Sequence, residues 1–115
     1  MQQDAELIQR IENFERLIAS GRDDALVRYS LGVACAKAGK RHEAIEQFRL
    51  AIERNAHYSA PYKALGKELA EDLNFPAAIE TYQQGILVAE RAGDKQSAKE
   101  MQVFLRRLEK AQTKS

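Results

Sequence analysis

The residues that could do chemistry are few, and their spacing does not assemble them. The chain carries one cysteine, Cys35, and two histidines, His42 and His57. Cys35 falls at an apolar position of a helical pattern with Leu26, Leu31 and Ala34, so it reads as a small buried hydrophobe rather than a nucleophile. The histidines fall at or near helix ends, and no Cys/His spacing resembles a zinc site. The glycines stand at turns and packing positions, not in a loop that could cradle phosphate. Glu68, Glu71 and Asp72 cluster at a helix end, where solvated carboxylates are expected. Glu12, Glu46 and Glu80 recur at a fixed interval, which favours a structural or surface role over acid–base work. These residues predict no catalytic centre, no metal ligands and no cofactor.

The elements that hold these residues are helices. Leu7, Ile8, Ile11, Phe14, Leu17 and Ile18 recur at helical spacing and predict a helix over about residues 4–19. Ser20-Gly21-Arg22-Asp23-Asp24 ends it, with the aspartates placed to cap the next start. Further helices follow over about 24–38, 42–55, 59–72, from the 74–76 turn to about 92, and 95–111. Ser59 reads as an N-cap with Pro61 in the first turn, and Gly93-Asp94 as a stop followed by a cap. Gln112 to Ser115 are expected to fray. No run alternates as a half-buried strand would, and the short connections favour antiparallel neighbours.

Composition bounds the function. The chain has 115 residues, 44% of them hydrophobic and 30% charged, with a formal net charge of +1. That suits one ordinary folded domain and argues against nucleic acid as the main partner. The N-terminus is polar and acidic, without a signal pattern, and no apolar run approaches the ~20 residues that span a bilayer. One cysteine allows no internal disulfide. A cytoplasmic protein without a membrane partner is the expectation.

The sequence also repeats itself every 34 residues. Leu31-Gly32 returns as Leu65-Gly66, Ala44-Ile45-Glu46 as Ala78-Ile79-Glu80, Phe48 as Tyr82 and Ile52 as Ile86. Subtracting the period gives Ile11, Glu12, Phe14 and Ile18, so the first helix matches the second helix of a unit whose first half is missing. Arg10 stands there in place of the small Ala44, consistent with no hairpin partner to receive it. Adding the period to Leu65-Gly66 gives Lys99-Glu100, so the signature is lost and helix six reads as a cap. A fixed period of this length marks stacked units that bury apolar faces against one another.

The pattern L-G…A-x-x-x-F, met twice, resembles the tetratricopeptide repeat, W-x-x-L-G-x-x-Y…A-x-x-x-F…P. Gly32, Gly66, Ala44 and Ala78 allow close helix approach, and Phe48 and Tyr82 are expected to fill the space between neighbouring hairpins. Departures are Arg28 at the first aromatic position (Tyr62 in the second unit), Cys35 and Leu69 at the Tyr position, Ala56 and Glu90 at the Pro position, and Gly85 where the first unit has Ala51. The resemblance implies an all-α, right-handed α-solenoid of antiparallel helical hairpins, about six helices with a C-terminal capping helix. It divides the chain into a half repeat (4–22), two repeats (25–58 and 59–92) and a capping helix (94–111).

The resemblance further implies a non-catalytic protein–protein interaction module, an adaptor or scaffold that binds a peptide or helix in a concave groove. By its register the groove is lined by Leu26, Tyr29, Ser30, Val33 and Lys37, with Ala60, Lys63, Lys67 and Ala70 from the fourth helix and Ser97 and Met101 at the edge of the sixth. Lys63 and Lys67 share one helical face and make a positive wall for an acidic partner, unless they are ordinary solvated lysines. The clamp by which some members hold a C-terminal carboxylate is not present, since Tyr29, Val33 and Ala64 occupy its positions. The alternative is homo-oligomerisation, with a second copy pairing through Tyr29, Val33 or the apolar edge of helix six. Lys99, Arg106, Arg107 and Lys110 form a separate basic patch that could meet nucleic acid or an acidic protein, set against simple solvation. No small-molecule substrate is implied.

Overall fold

A computed structural model describes residues 2–113. It contains six α-helices: α1 (Gln2–Ala19), α2 (Ala25–Lys37), α3 (Arg41–Arg54), α4 (Ala60–Glu71), α5 (Phe75–Arg91) and α6 (Lys95–Thr113). No strand occurs among the described residues. The six expected helices are found within a few residues of their predicted ends. The expected fraying falls in part outside the described residues, because α6 runs on to Thr113. The helices fall into two compact units, α1–α3 and α4–α6.

In the first unit α2 packs against both α1 and α3. Its core is Val27, Leu31, Ala34 and Cys35 of α2, Ala44, Phe48 and Ala51 of α3, and Leu7 and Ile11 of α1. The closest approach is at Gly32, where a methyl group would come within 2.5 Å of the Phe48 ring. Phe48 is 1% exposed. The ring therefore lies inside its own hairpin, on the bare Cα of Gly32, and not only between hairpins as the sequence suggests. Burial of such a ring contributes about 1.5–3 kcal/mol, available only while glycine leaves the space open.

The second unit repeats this arrangement and adds α6, which packs on α5 and also touches α4. The Tyr82 ring covers Gly66. Tyr62 covers Gly85 from one side and Met101 of α6 from another, with a methyl there falling 2.6 Å from Tyr62 Cβ and 2.7 Å from Met101 Sδ. Burial, first, and the nearby Glu71 carboxylate push the Tyr82 hydroxyl up to about 12.

Helix ends follow local chemistry. The Asp24 carboxylate accepts from the Val27 N–H at 2.9 Å and caps α2. Asp23 does something else. It accepts from Arg28 at 2.7 and 2.9 Å and from Arg54 at 2.9 Å, while Arg28 also donates to Gln47 at 2.9 Å. Arg28 stands where the second unit has Tyr62, so an ionic clasp replaces an aromatic between α2 and α3. The Arg28 and then the Arg54 hydrogen bonds hold the Asp23 carboxyl well below the usual range. Ser59 stands at the N-cap position of α4, as expected, but its side chain makes no cap hydrogen bond. Its backbone is already helical (φ −74°, ψ −32°), and its hydroxyl donates to Asp94 Oδ2 at 3.0 Å. Asp94 in turn caps α6 through the Ser97 N–H at 3.1 Å, tying the starts of α4 and α6 together. Glu68, expected to be solvated, is buried at 8% exposure because its position faces inward, whereas Glu71 and Asp72 are exposed.

Four helices end in the same kind of turn. Gly21 (φ 103°), Gly39 (φ 78°), Leu73 (φ 63°) and Gly93 (φ 76°) each take a positive φ, and each donates its N–H to a carbonyl three residues back. Leu73 is the exception in residue type, and it is 74% exposed, so its side chain gives little in return. Leu73→Gly is therefore expected to stabilise the fold by about 0.5–1 kcal/mol, read as a higher urea midpoint. Gly66→Ala places a methyl in the Tyr82 ring and is expected to cost about 1–2 kcal/mol net of its gain in helix propensity. Asp23, with its depressed folded pKa, stabilises the protein above its unfolded pKa of about 3.9, and that contribution fades as the pH falls further. Asp23→Asn should lower the urea midpoint at pH 7, and the gap from the native chain should narrow below pH 4.

Candidate functional site

The first unit carries an open cleft between α1 and α2. It encloses about 360 Å³ and is lined by Arg10 and Phe14 from α1 and by Tyr29, Ser30, Val33, Ala34 and Lys37 from α2. Four of the residues expected to bind a partner, Tyr29, Ser30, Val33 and Lys37, thus meet on one surface. They do so because α2 turns Leu31, Gly32, Ala34 and Cys35 into the core and leaves the intervening positions facing out. Tyr29 is fixed from below by Phe48, with ring centroids 5.9 Å apart. Leu26 is not part of this cleft, though it is on the surface at 54% exposure.

Arg10 and Phe14 were not among the expected binding residues. The period does carry their signal: Phe14 corresponds to Phe48 and Tyr82, and Arg10 to Ala44 and Ala78. Those equivalents lie under a hairpin partner, with Ala44 and Ala78 wholly buried, whereas Phe14 is half-buried and Arg10 exposed. Arg10 and Lys37 also border a second, more polar depression of about 570 Å³ with Gln3, Asp4, Glu6 and Leu7.

In the second unit the expected residues part company. Lys63 donates to Glu100 Oε2 at 3.1 Å. The lysine is the main reason the Glu100 carboxyl sits below its usual range. Its charge is therefore already matched within the fold. Lys67 is exposed and borders a shallow cleft of about 360 Å³ with Ala70, Glu71, Tyr82, Phe104, Arg107 and Leu108. Met101 is a correction. It is 0% exposed and lies against Gly85, so it is part of the core and cannot line a binding surface. Helix α6 is rotated so that Ala98 and Met101 point inward, and Phe104 meets the Tyr82 ring at 5.8 Å. Ser97, the other edge residue expected, spends its N–H on Asp94.

Nothing among the described residues gathers three or more His, Cys, Asp or Glu side chains as a metal would need. Cys35 is buried, and burial raises its thiol pKa, the setting of an inert core cysteine. His42 and His57 are exposed, as are Lys99, Arg106, Arg107 and Lys110 along α6. No described helix is long and apolar enough to cross a membrane.

No family model matches the chain. It is 40% identical over 103 residues to a TPR repeat-containing protein of Pseudomonas aeruginosa, covering 90% of this chain and 98% of that relative. The solution structure of a Bordetella parapertussis protein is 35% identical, covers 88% of each chain and superposes with a TM-score of 0.75. The TPR2B domain of yeast Sti1, solved as a complex with pHsp70, superposes with a TM-score of 0.85 over 93% of this chain and 86% of that one at 18% identity, a likeness of fold alone. Two Leu-Gly…Ala…aromatic units, six helices and near full-length identity to a TPR protein agree: the chain belongs to the tetratricopeptide repeat family, an all-α repeat class of protein-interaction modules.

Proposed function

We propose that this chain is a non-catalytic adaptor or scaffold that holds a peptide or helix of another protein in the cleft between α1 and α2. The observation that carries this reading is the cleft itself. Phe14, Tyr29 and Val33, each half-buried, leave apolar surface in the cleft beneath the cationic rim of Arg10 and Lys37. Apolar floor with charged rim is the anatomy of a protein-binding patch. The yeast structural neighbour is a complex with pHsp70, which supports a protein or peptide as the class of ligand. The positive rim favours an acidic one. Lys63 is a weaker contributor because Glu100 holds it, while Lys67 and Leu26 remain available for contacts of their own.

We read residues 4–22 as a half repeat, 25–58 and 59–92 as two repeats and 94–111 as the cap. The half repeat thereby becomes a wall of the binding site rather than a remnant. A single cysteine, buried and unbridged, supports a reducing, cytoplasmic setting. Homo-oligomerisation through the same surface is disfavoured by charge, because the exposed side of α6 is basic and the cleft rim is basic too.

The test compares capture of lysate proteins by the native chain and by a Tyr29→Ala/Val33→Ala variant whose helicity is intact by circular dichroism. A protein retained by the native chain and lost from the variant is the expected result. Equal capture by both would remove the cleft as the binding site.

A further inference from the structure

The two units contain the same pair of helices in different company. By the period, α1 and α5 are both second helices of a repeat, and α2 and α6 are the helices that follow them. In the second unit the α5–α6 pair is covered by α4, which packs on α5 and touches α6. Gly66 of α4 seats the Tyr82 ring, and Lys63 of α4 reaches Glu100 of α6. In the first unit α2 packs against α1 and α3, and within that unit no helix takes the place that α4 takes on α5 and α6. The cleft of about 360 Å³ is there. Phe14, the equivalent of Tyr82, is only half-buried, whereas Tyr82 is 3% exposed.

We infer that the α1–α2 cleft is a slot for one acidic amphipathic helix of a partner protein, docking as α4 docks on α5 and α6. The inference rests on the protein-binding reading above and specifies its ligand. The molecule itself shows what covers such a pair of helices, and the side chains of the slot say how the incoming helix must differ from α4. A small residue is required opposite Phe14, as Gly66 is opposite Tyr82. Arg10 replaces the buried Ala78 and Leu17 replaces Gly85, so the partner helix sits farther from α1 than α4 sits from α5. The space so opened holds a guanidinium, with Lys37 on the other wall. Both cations also border the neighbouring depression with Asp4 and Glu6, and no described carboxylate lies within ion-pair distance of either. Where α4 carries Lys63 and Lys67, the partner helix should therefore carry carboxylates. A second copy is a poor occupant. Its α4 is already packed, and its α6 exposes Lys99, Arg106, Arg107 and Lys110.

The probe is a synthetic peptide of residues 59–73 bearing Lys63→Glu and Lys67→Glu, stapled into a helix on the face away from Gly66 and labelled with fluorescein. It is titrated with the full chain by fluorescence anisotropy, and its site is mapped by amide shifts in an isotope-labelled chain. The acidic peptide should bind saturably and shift Phe14, Tyr29 and Val33. The same peptide with its lysines restored should bind about tenfold more weakly. The order should invert for an Arg10→Glu/Lys37→Glu chain, whose two substitutions are on the surface and leave the core intact. No saturable binding, equal binding of the two peptides, or shifts confined to other helices would overturn the inference. So would a dimer of the chain alone, seen by sedimentation, that the Arg10→Glu/Lys37→Glu change abolishes. A captured partner that depends on Tyr29 and Val33 but does not compete with the peptide would retain the protein-binding reading and reject the helix. A peptide that binds as described while no partner is captured would do the reverse.

Discussion

Everything in each unit hangs on one contact, an aromatic ring laid on a glycine. Phe48 on Gly32 and Tyr82 on Gly66 set how closely the two helices of a hairpin approach. Ala44 and Ala78, wholly buried one turn away, hold the same spacing along the helix. A close pair then fixes which positions turn inward. On α2 these are Leu31, Gly32, Ala34 and Cys35, and the same rotation leaves Tyr29, Ser30, Val33 and Lys37 facing out. The α2 wall of the cleft is thus a by-product of the packing rule rather than a separately built surface.

The second unit solves a problem that the first leaves open. A helix of second type offers an apolar ring to whatever lies on its open side, and α5 meets α4 there. Helix α1 packs on α2 but has no helix of its own unit in the place of α4, and it departs from the repeat there: Arg10 for alanine, and Leu17 where Gly85 and Ala51 stand. The charged Arg10 keeps this face of α1 compatible with water.

The helices and their pairing were legible because Leu-Gly, Ala and the aromatic recur in register, and because caps such as Asp24 and Asp94 act locally. The α2 face of the cleft was legible for the same reason. Met101 was misplaced because α6 has lost the Leu-Gly signature, so its rotation could not be read from the period. Only the fit of sulfur into the space left by Gly85 decides it. The side chains of Ser59 and Asp23 do not cap, because distant partners, Asp94 and Arg54, compete for them and no local pattern contains those partners. Glu68 looked solvated beside two exposed acids, since three neighbouring carboxylates give no hint of which one a helix turns inward. Arg10 was recognised as a departure, but its role as a wall of the cleft needed α2 to be set beside α1.

One exchange between the units reaches beyond packing. Where the second unit holds its first helix with Tyr62, the first uses Arg28 and Asp23, joined by Arg54. An aromatic seam and an ionic seam answer differently to dissolved salt. Screening weakens the partly exposed Asp23 clasp, while salts excluded from protein surfaces strengthen apolar burial around Tyr62. Ionic strength therefore reaches the first helix of the two repeats unequally: it weakens the Asp23 clasp that holds α2 and leaves the aromatic seat of α4 at Tyr62 intact.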